Sequence, residues 1–216
     1  MLCASTKSAP IELTRLLTVE RTVTIMCEDG VDCKVSLSRY GGFGASSFGP
    51  LSISGVVFSS PPGVELARSA VDVDRDSTVT LTDVSFIGLT SLQGSAIQII
   101  GSGATTICNN CAFLNNTAAH YGGAAHITRG GSSFFCHACT FTGNTAGIRG
   151  GSIDTDQSGD VTLTDCFFSE GKSPKGKSVY VSEFSTLVAE NSEFEEIIIE
   201  VWPSLTCIFL FKAQHD

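Results

Sequence analysis

Phenylalanine recurs along this chain at nearly constant spacing: Phe58, Phe86, Phe113, Phe141, Phe168 and Phe194, at intervals of 28, 27, 28, 27 and 26 residues. A fixed period of this size marks a repeat architecture, in which each unit buries its apolar face against the next copy. Other columns keep the same frame. Seven residues before each Phe stand Leu51, Val79, Thr106, Phe134, Val161 and Leu187. Five before stand Ile53, Leu81, Cys108, Cys136, Leu163 and Ala189, and two before stand Val56, Val84, Cys111, Cys139, Cys166 and Ser192. Steps of two are the alternation of a strand. The intervening step of three marks a corner, occupied by Gly55, Asp83, Asn110, Ala138, Asp165 and Asn191. Gly, Asn and Asp tolerate the left-handed backbone that a sharp corner needs.

A second block follows each Phe by eight to ten residues. It reads Gly94-Ser95-Ala96-Ile97-Gln98-Ile99, Gly122-Gly123-Ala124-Ala125-His126-Ile127, Gly150-Gly151-Ser152-Ile153-Asp154-Thr155 and Gly176-Lys177-Ser178-Val179-Tyr180-Val181. Arg68-Ser69-Ala70-Val71-Asp72-Val73 fits the frame without its Gly. Small and branched residues would face inward, leaving Asp72, Gln98, His126, Asp154 and Tyr180 on the outer face.

Each period thus supplies three short strands and three corners, with no helical periodicity. Strands that pair in parallel with their copies one turn on close into an all-β parallel β-helix solenoid, of about six coils of 26–28 residues, with the Phe side chains as an internal ladder. The repeats occupy residues 51–196. Residues 1–50 read as an irregular opening or capping coil. There Val23 and Ile25 match the first two columns, but Glu28 and Gly30 fall where Val56 and Phe58 should have counterparts. Residues 197–216 read as a cap or as a truncated further coil.

Only 16% of the residues are charged and the formal net charge is −9. An acidic chain is a poor partner for nucleic acid or an anionic membrane, both of which select basic surface. No apolar run reaches the roughly 18 residues that a membrane span needs. The opening MLCASTKSAP lacks the apolar stretch of a secretory signal, and both ends are abrupt, as in a piece of a longer protein.

Phe113-Leu114-Asn115-Asn116 followed by Gly122-Gly123-Ala124 resembles the paired FxxN and GGA motifs of the chlamydial polymorphic outer membrane protein repeat. Phe141-Thr142-Gly143-Asn144 with Gly150-Gly151-Ser152-Ile153 is a second copy. Phe86 and Phe168 keep the frame without the Asn. This resemblance covers residues 50–196, and more widely the chain is similar to the right-handed parallel β-helix of pectin-lyase-like proteins. That class includes surface adhesins as well as polysaccharide lyases, hydrolases and epimerases, so the fold alone does not choose between scaffold and enzyme. The resemblance implies an extracellular or cell-surface location, and a polysaccharide or a cell-surface protein as partner.

Cys108-x2-Cys111 and Cys136-x2-Cys139 have the look of a metal knuckle, but they occupy columns that Leu, Val and Ile fill in neighbouring coils. They read as core thiols. Disulfides between rungs, joining Cys108 to Cys136 and Cys111 to Cys139, are the geometric alternative, and metal binding is the third. Cys27 and Cys33 are a separate local pair. On the outer face His126, Asp154 and Asp156 share adjacent rungs, with Arg129 and Arg149 nearby. Carboxylates beside a base are what acid/base attack on a sugar chain requires, and Asp clusters also suit Ca²⁺. The plainer expectation is a solvated polar face with no catalytic or cofactor-binding residues. Asn116 and Asn144, one rung apart, are expected to form an internal amide ladder. The leading expectation for function is a non-enzymatic scaffold for adhesion or binding, with a polysaccharide-active enzyme as the rival.

Overall fold

In the computed structural model the described residues are 10–27, 33–46, 49–182, 184–200 and, as a bare strand, 207–210. The chain visits three main faces in turn, and every strand pairing among the described residues is parallel. Three strands per turn thus become three long sheets of seven, eight and eight strands wrapped round one interior, with a small fourth sheet of three strands at one corner. No helix among the described residues is long and apolar enough to cross a membrane.

The columns read from the sequence are the registers of the sheets. Phe58, Phe86, Phe113, Phe141 and Phe168 pair directly on successive strands of the first sheet. Their rings stack with centroids 5.2, 5.2, 4.5 and 4.5 Å apart, and Phe194 continues the stack at 4.8 Å. The corner three residues before each Phe is left-handed in every coil: φ is 66° at Gly55, 54° at Asp83, 52° at Asn110, 52° at Ala138, 54° at Asp165 and 49° at Asn191.

Asn116 and Asn144 are fully buried beside the Phe stack. Each carboxamide accepts from a backbone N–H one rung back, Leu89 to Asn116 at 3.1 Å and Asn116 to Asn144 at 3.0 Å. Each also donates to a carbonyl, of Phe86 at 3.0 Å and of Phe113 at 2.9 Å. The corner closes with its backbone paired, which burial demands.

The difference from the sequence reading lies at the N-terminal end. The solenoid begins well before residue 50. Ile11–Leu13, Leu16–Val19 and Val23–Met26 already form a turn that pairs with Cys33–Leu37, Gly42–Ala45 and Leu51–Ser54. Val23 and Ile25 do face Leu51 and Ile53, but the counterparts of Val56 and Phe58 are Cys33 and Val35. The second turn is shorter than a full period, so counting back 28 residues overshoots. Glu28 and Gly30 lie outside the described residues. At the other end Ile197–Ile199 and Cys207–Leu210 extend the second and third sheets by one strand each.

Cys27 and Cys33 are disulfide-bonded, tying the first turn to the second. Cys108, Cys111, Cys136, Cys139 and Cys166 are buried free thiols. Cys111, Cys139 and Cys166 each contact the carbonyl two residues earlier at 3.4 Å, and Ser192 makes the same contact at 3.0 Å. In these four coils the small side chain binds its own corner, a contact that Val56 and Val84 cannot make in the same column.

Candidate functional site

The second sheet alternates as expected: Val71, Ile97, Ala125, Ile153 and Val179 point into the core, and Asp72, Gln98, His126, Asp154 and Tyr180 pair along its other face. The expectation that this outer face is solvated is corrected. Asp72, His126, Asp154 and Tyr180 are all buried.

The cover comes from the glycine block. Gly94, Gly122, Gly150 and Gly176 are left-handed, with φ between 47° and 65°. A Cβ on Gly150 would collide with the Ile153 carbonyl, so this turn closes onto its own strand as only Gly allows. The residue before each Gly therefore folds over the outward residue five positions later. Gln93 pairs with Gln98 at 3.0 Å, Tyr121 packs on His126 with rings 5.6 Å apart, Arg149 binds Asp154, and Lys175 sits 5.8 Å over the Tyr180 ring. This i,i+5 pairing was present in the sequence, as the Gln93, Tyr121, Arg149 and Lys175 column. Only the closeness of the turn gives it meaning.

In the middle of this face His126, Asp154 and Asp156 come together, as the sequence placed them, and Arg149 spans the two carboxylates. Its Nε is 2.7 Å from Asp154 Oδ1 and its Nη2 is 2.7 Å from Asp156 Oδ2. His126 Nε2 is 3.3 Å from Asp154 Oδ2 and 3.8 Å from Asp156 Oδ2. The guanidinium lies between the Tyr121 and Tyr180 rings, 4.6 and 4.9 Å from their centroids, an arrangement that suits its planar, weakly hydrated charge. Tyr121 and Tyr180 were not singled out as a clamp by the sequence. Arg129 lies exposed in the next turn.

Burial separates the two acids. Asp154 is pushed up to about 6 by loss of water, which outweighs the attraction of His126 and Arg149. For Asp156 burial also raises the value, but contacts with His126 and Thr128 and the charge of Arg149 hold it below the usual carboxylate range. Burial works against the charge on Arg149, and the two aspartates more than restore it. Further along the column Asp72 is raised to about 6 by burial, against the pull of Arg68 at 3.3 Å.

A family model described as a right-handed β-helix region matches residues 41–206. No curated protein matches the chain. No solved structure matches it either. With its coils in parallel register and most of its length matched, the chain belongs to the right-handed β-helix family.

Proposed function

We propose that the chain is a non-enzymatic β-helix scaffold that binds a polysaccharide or a cell-surface protein through its outer faces. The observation behind this reading is the state of the Asp154 carboxylate. It is the best-placed acid/base group of the outer cluster, and its side chain is 0% exposed and bridged by Arg149. A base or acid must reach the proton it transfers, and this one is covered by its own cation, which itself lies against the Tyr121 and Tyr180 rings. Exposed apolar side chains elsewhere, Leu92, Phe135, Ile148 and Phe167 among them, offer contact points that a binding surface uses.

One observation favours the enzyme instead. A carboxyl held near 6 beside an ionised one is the pairing that acid/base catalysis uses. Product analysis on a panel of uronate and neutral glycan polymers, alongside binding to the same polymers on an array, separates the two. Binding without chain cleavage is the expected result. Cleavage by the wild type that is lost in Asp154→Asn overturns the scaffold reading.

A further inference from the structure

Three ligand-type atoms converge across two adjacent coils. Asp154 Oδ2 and Asp156 Oδ2 lie 3.3 and 3.8 Å from His126 Nε2, and donor atoms of the three residues fall within 4.8 Å of one another. Donors around a tetrahedral ion with bonds of about 2.0–2.2 Å sit roughly 3.3–3.6 Å apart. The two separations from His126 are close to that spacing as folded, and the donors, within 4.8 Å of one another, need only a small contraction to close round an ion. A second observation points the same way. The His126 side chain is only 4% exposed; its Nε2 faces the two carboxylates, and its buried Nδ1 has no hydrogen-bond partner among the described residues. Buried imidazole nitrogens ordinarily have one, and a ring nitrogen aimed at two carboxylates is placed to bind an ion together with them.

Arg149 stands where a cation belongs. It contacts both carboxylates at 2.7 Å, and its side chain is 20% exposed between the Tyr121 and Tyr180 rings. It has a route toward solvent that does not open the hydrophobic core.

We propose that His126, Asp154 and Asp156 form a binding site for a Zn²⁺-class divalent ion, with Arg149 as the built-in competitor that the ion displaces. One imidazole nitrogen with two carboxylates is a mixed donor set. Ca²⁺ takes six to eight oxygens and has no use for the imidazole. Exchanging a monocation for a dication also balances the charge of both carboxylates. The ligands come from successive coils, so the ion clamps one rung to the next from outside. This role is independent of whether the solenoid binds glycans.

The test is calorimetric titration of wild type, Arg149→Met and Arg149→Met/His126→Ala with Zn²⁺ and Ca²⁺, with Co²⁺ absorption reporting the ligand type. Arg149→Met keeps the apolar stem between the tyrosines and removes the competing charge. The expected result is one equivalent of Zn²⁺ bound at least tenfold more tightly by Arg149→Met than by wild type, and at least tenfold more weakly again once His126 is removed. Co²⁺ should show no thiolate charge-transfer absorption. Equal affinity in wild type and Arg149→Met, binding that survives loss of His126, a thiolate band, or preference for Ca²⁺ each overturns the proposal. Should Arg149→Met fail to fold, the wild type decides by NMR. Millimolar Zn²⁺ should shift the His126 ring signals ahead of those of the other three histidines, and a uniform or absent response overturns it.

Discussion

Asn144 shows what a single side chain contributes to this fold. Its carboxamide accepts from Asn116 N–H and donates to the Phe113 carbonyl, both buried at a corner where no strand partner is available. Asn144→Ala leaves those groups without partners or water, at about 1–3 kcal/mol for each one orphaned. Urea denaturation measures the loss, and a shift below 1 kcal/mol would mean the corner finds other partners. Asp72 carries a different signature. Its folded value of about 6 lies above the ordinary 3.8, so between roughly pH 4 and 6 the native state holds a proton that the unfolded chain has lost. Stability therefore falls as pH rises through that window and levels off above it. Asp154 is shifted the same way, so Asp72→Asn should make the decline shallower without abolishing it. Urea midpoints for both proteins across the window test this, and parallel curves would exclude it.

At the scale of the element, the strands are too short to be stable alone, and stacking like on like holds them together. Phe141 is fully buried between Phe113 and Phe168, with rings almost parallel to both. Phe141→Ala should cost about 3–5 kcal/mol as a buried aromatic deletion. Phe194, half-buried at the end of the stack, should cost clearly less. Denaturant midpoints for the two variants give the comparison, and equal losses would contradict a stack that ends there. The glycine turn is the other element with a specific demand. Gly150 combines φ of 65° with a backbone approach that leaves no room for a Cβ. Gly150→Ala should lose at least about 1–2 kcal/mol from the left-handed backbone alone. It should also loosen the turn that lays Arg149 over Asp154. Thermal unfolding no different from wild type would show that the turn is not under this constraint.

The whole molecule behaves as a one-dimensional stack, in which each coil touches its neighbours and little else. Deleting residues 112–139 joins Cys111 to Thr140, which takes the register position of Ala112. Phe141 would then stack on Phe86, and Asn144 would take over the Leu89 N–H that Asn116 accepts now. The shortened chain should fold, with strand circular dichroism retained and a smaller denaturant m value in proportion to the surface removed. A chain that aggregates or stays unfolded would argue against coils as interchangeable units.

The Phe period, the left-handed corners and the Asn ladder were legible in the chain because each depends on residues a fixed distance apart, and parallel stacking turns that distance into contact. Where the period breaks, legibility stops. Val35 replaces the Phe of the second turn five residues out of step, and pairing rather than spacing identifies it. His126, Asp154 and Asp156 could be placed on one face from register alone. That the face is buried could not, because it depends on how tightly the Gly150 turn closes and on where the Arg149 guanidinium comes to rest. By itself the sequence determined a stacked solenoid and its inward columns, since those follow from periodicity and side-chain size. Only the tertiary structure decided that the outward column is a covered, charge-compensated cluster, because solvent exposure belongs to the packing of neighbouring turns and not to any residue's position in the repeat.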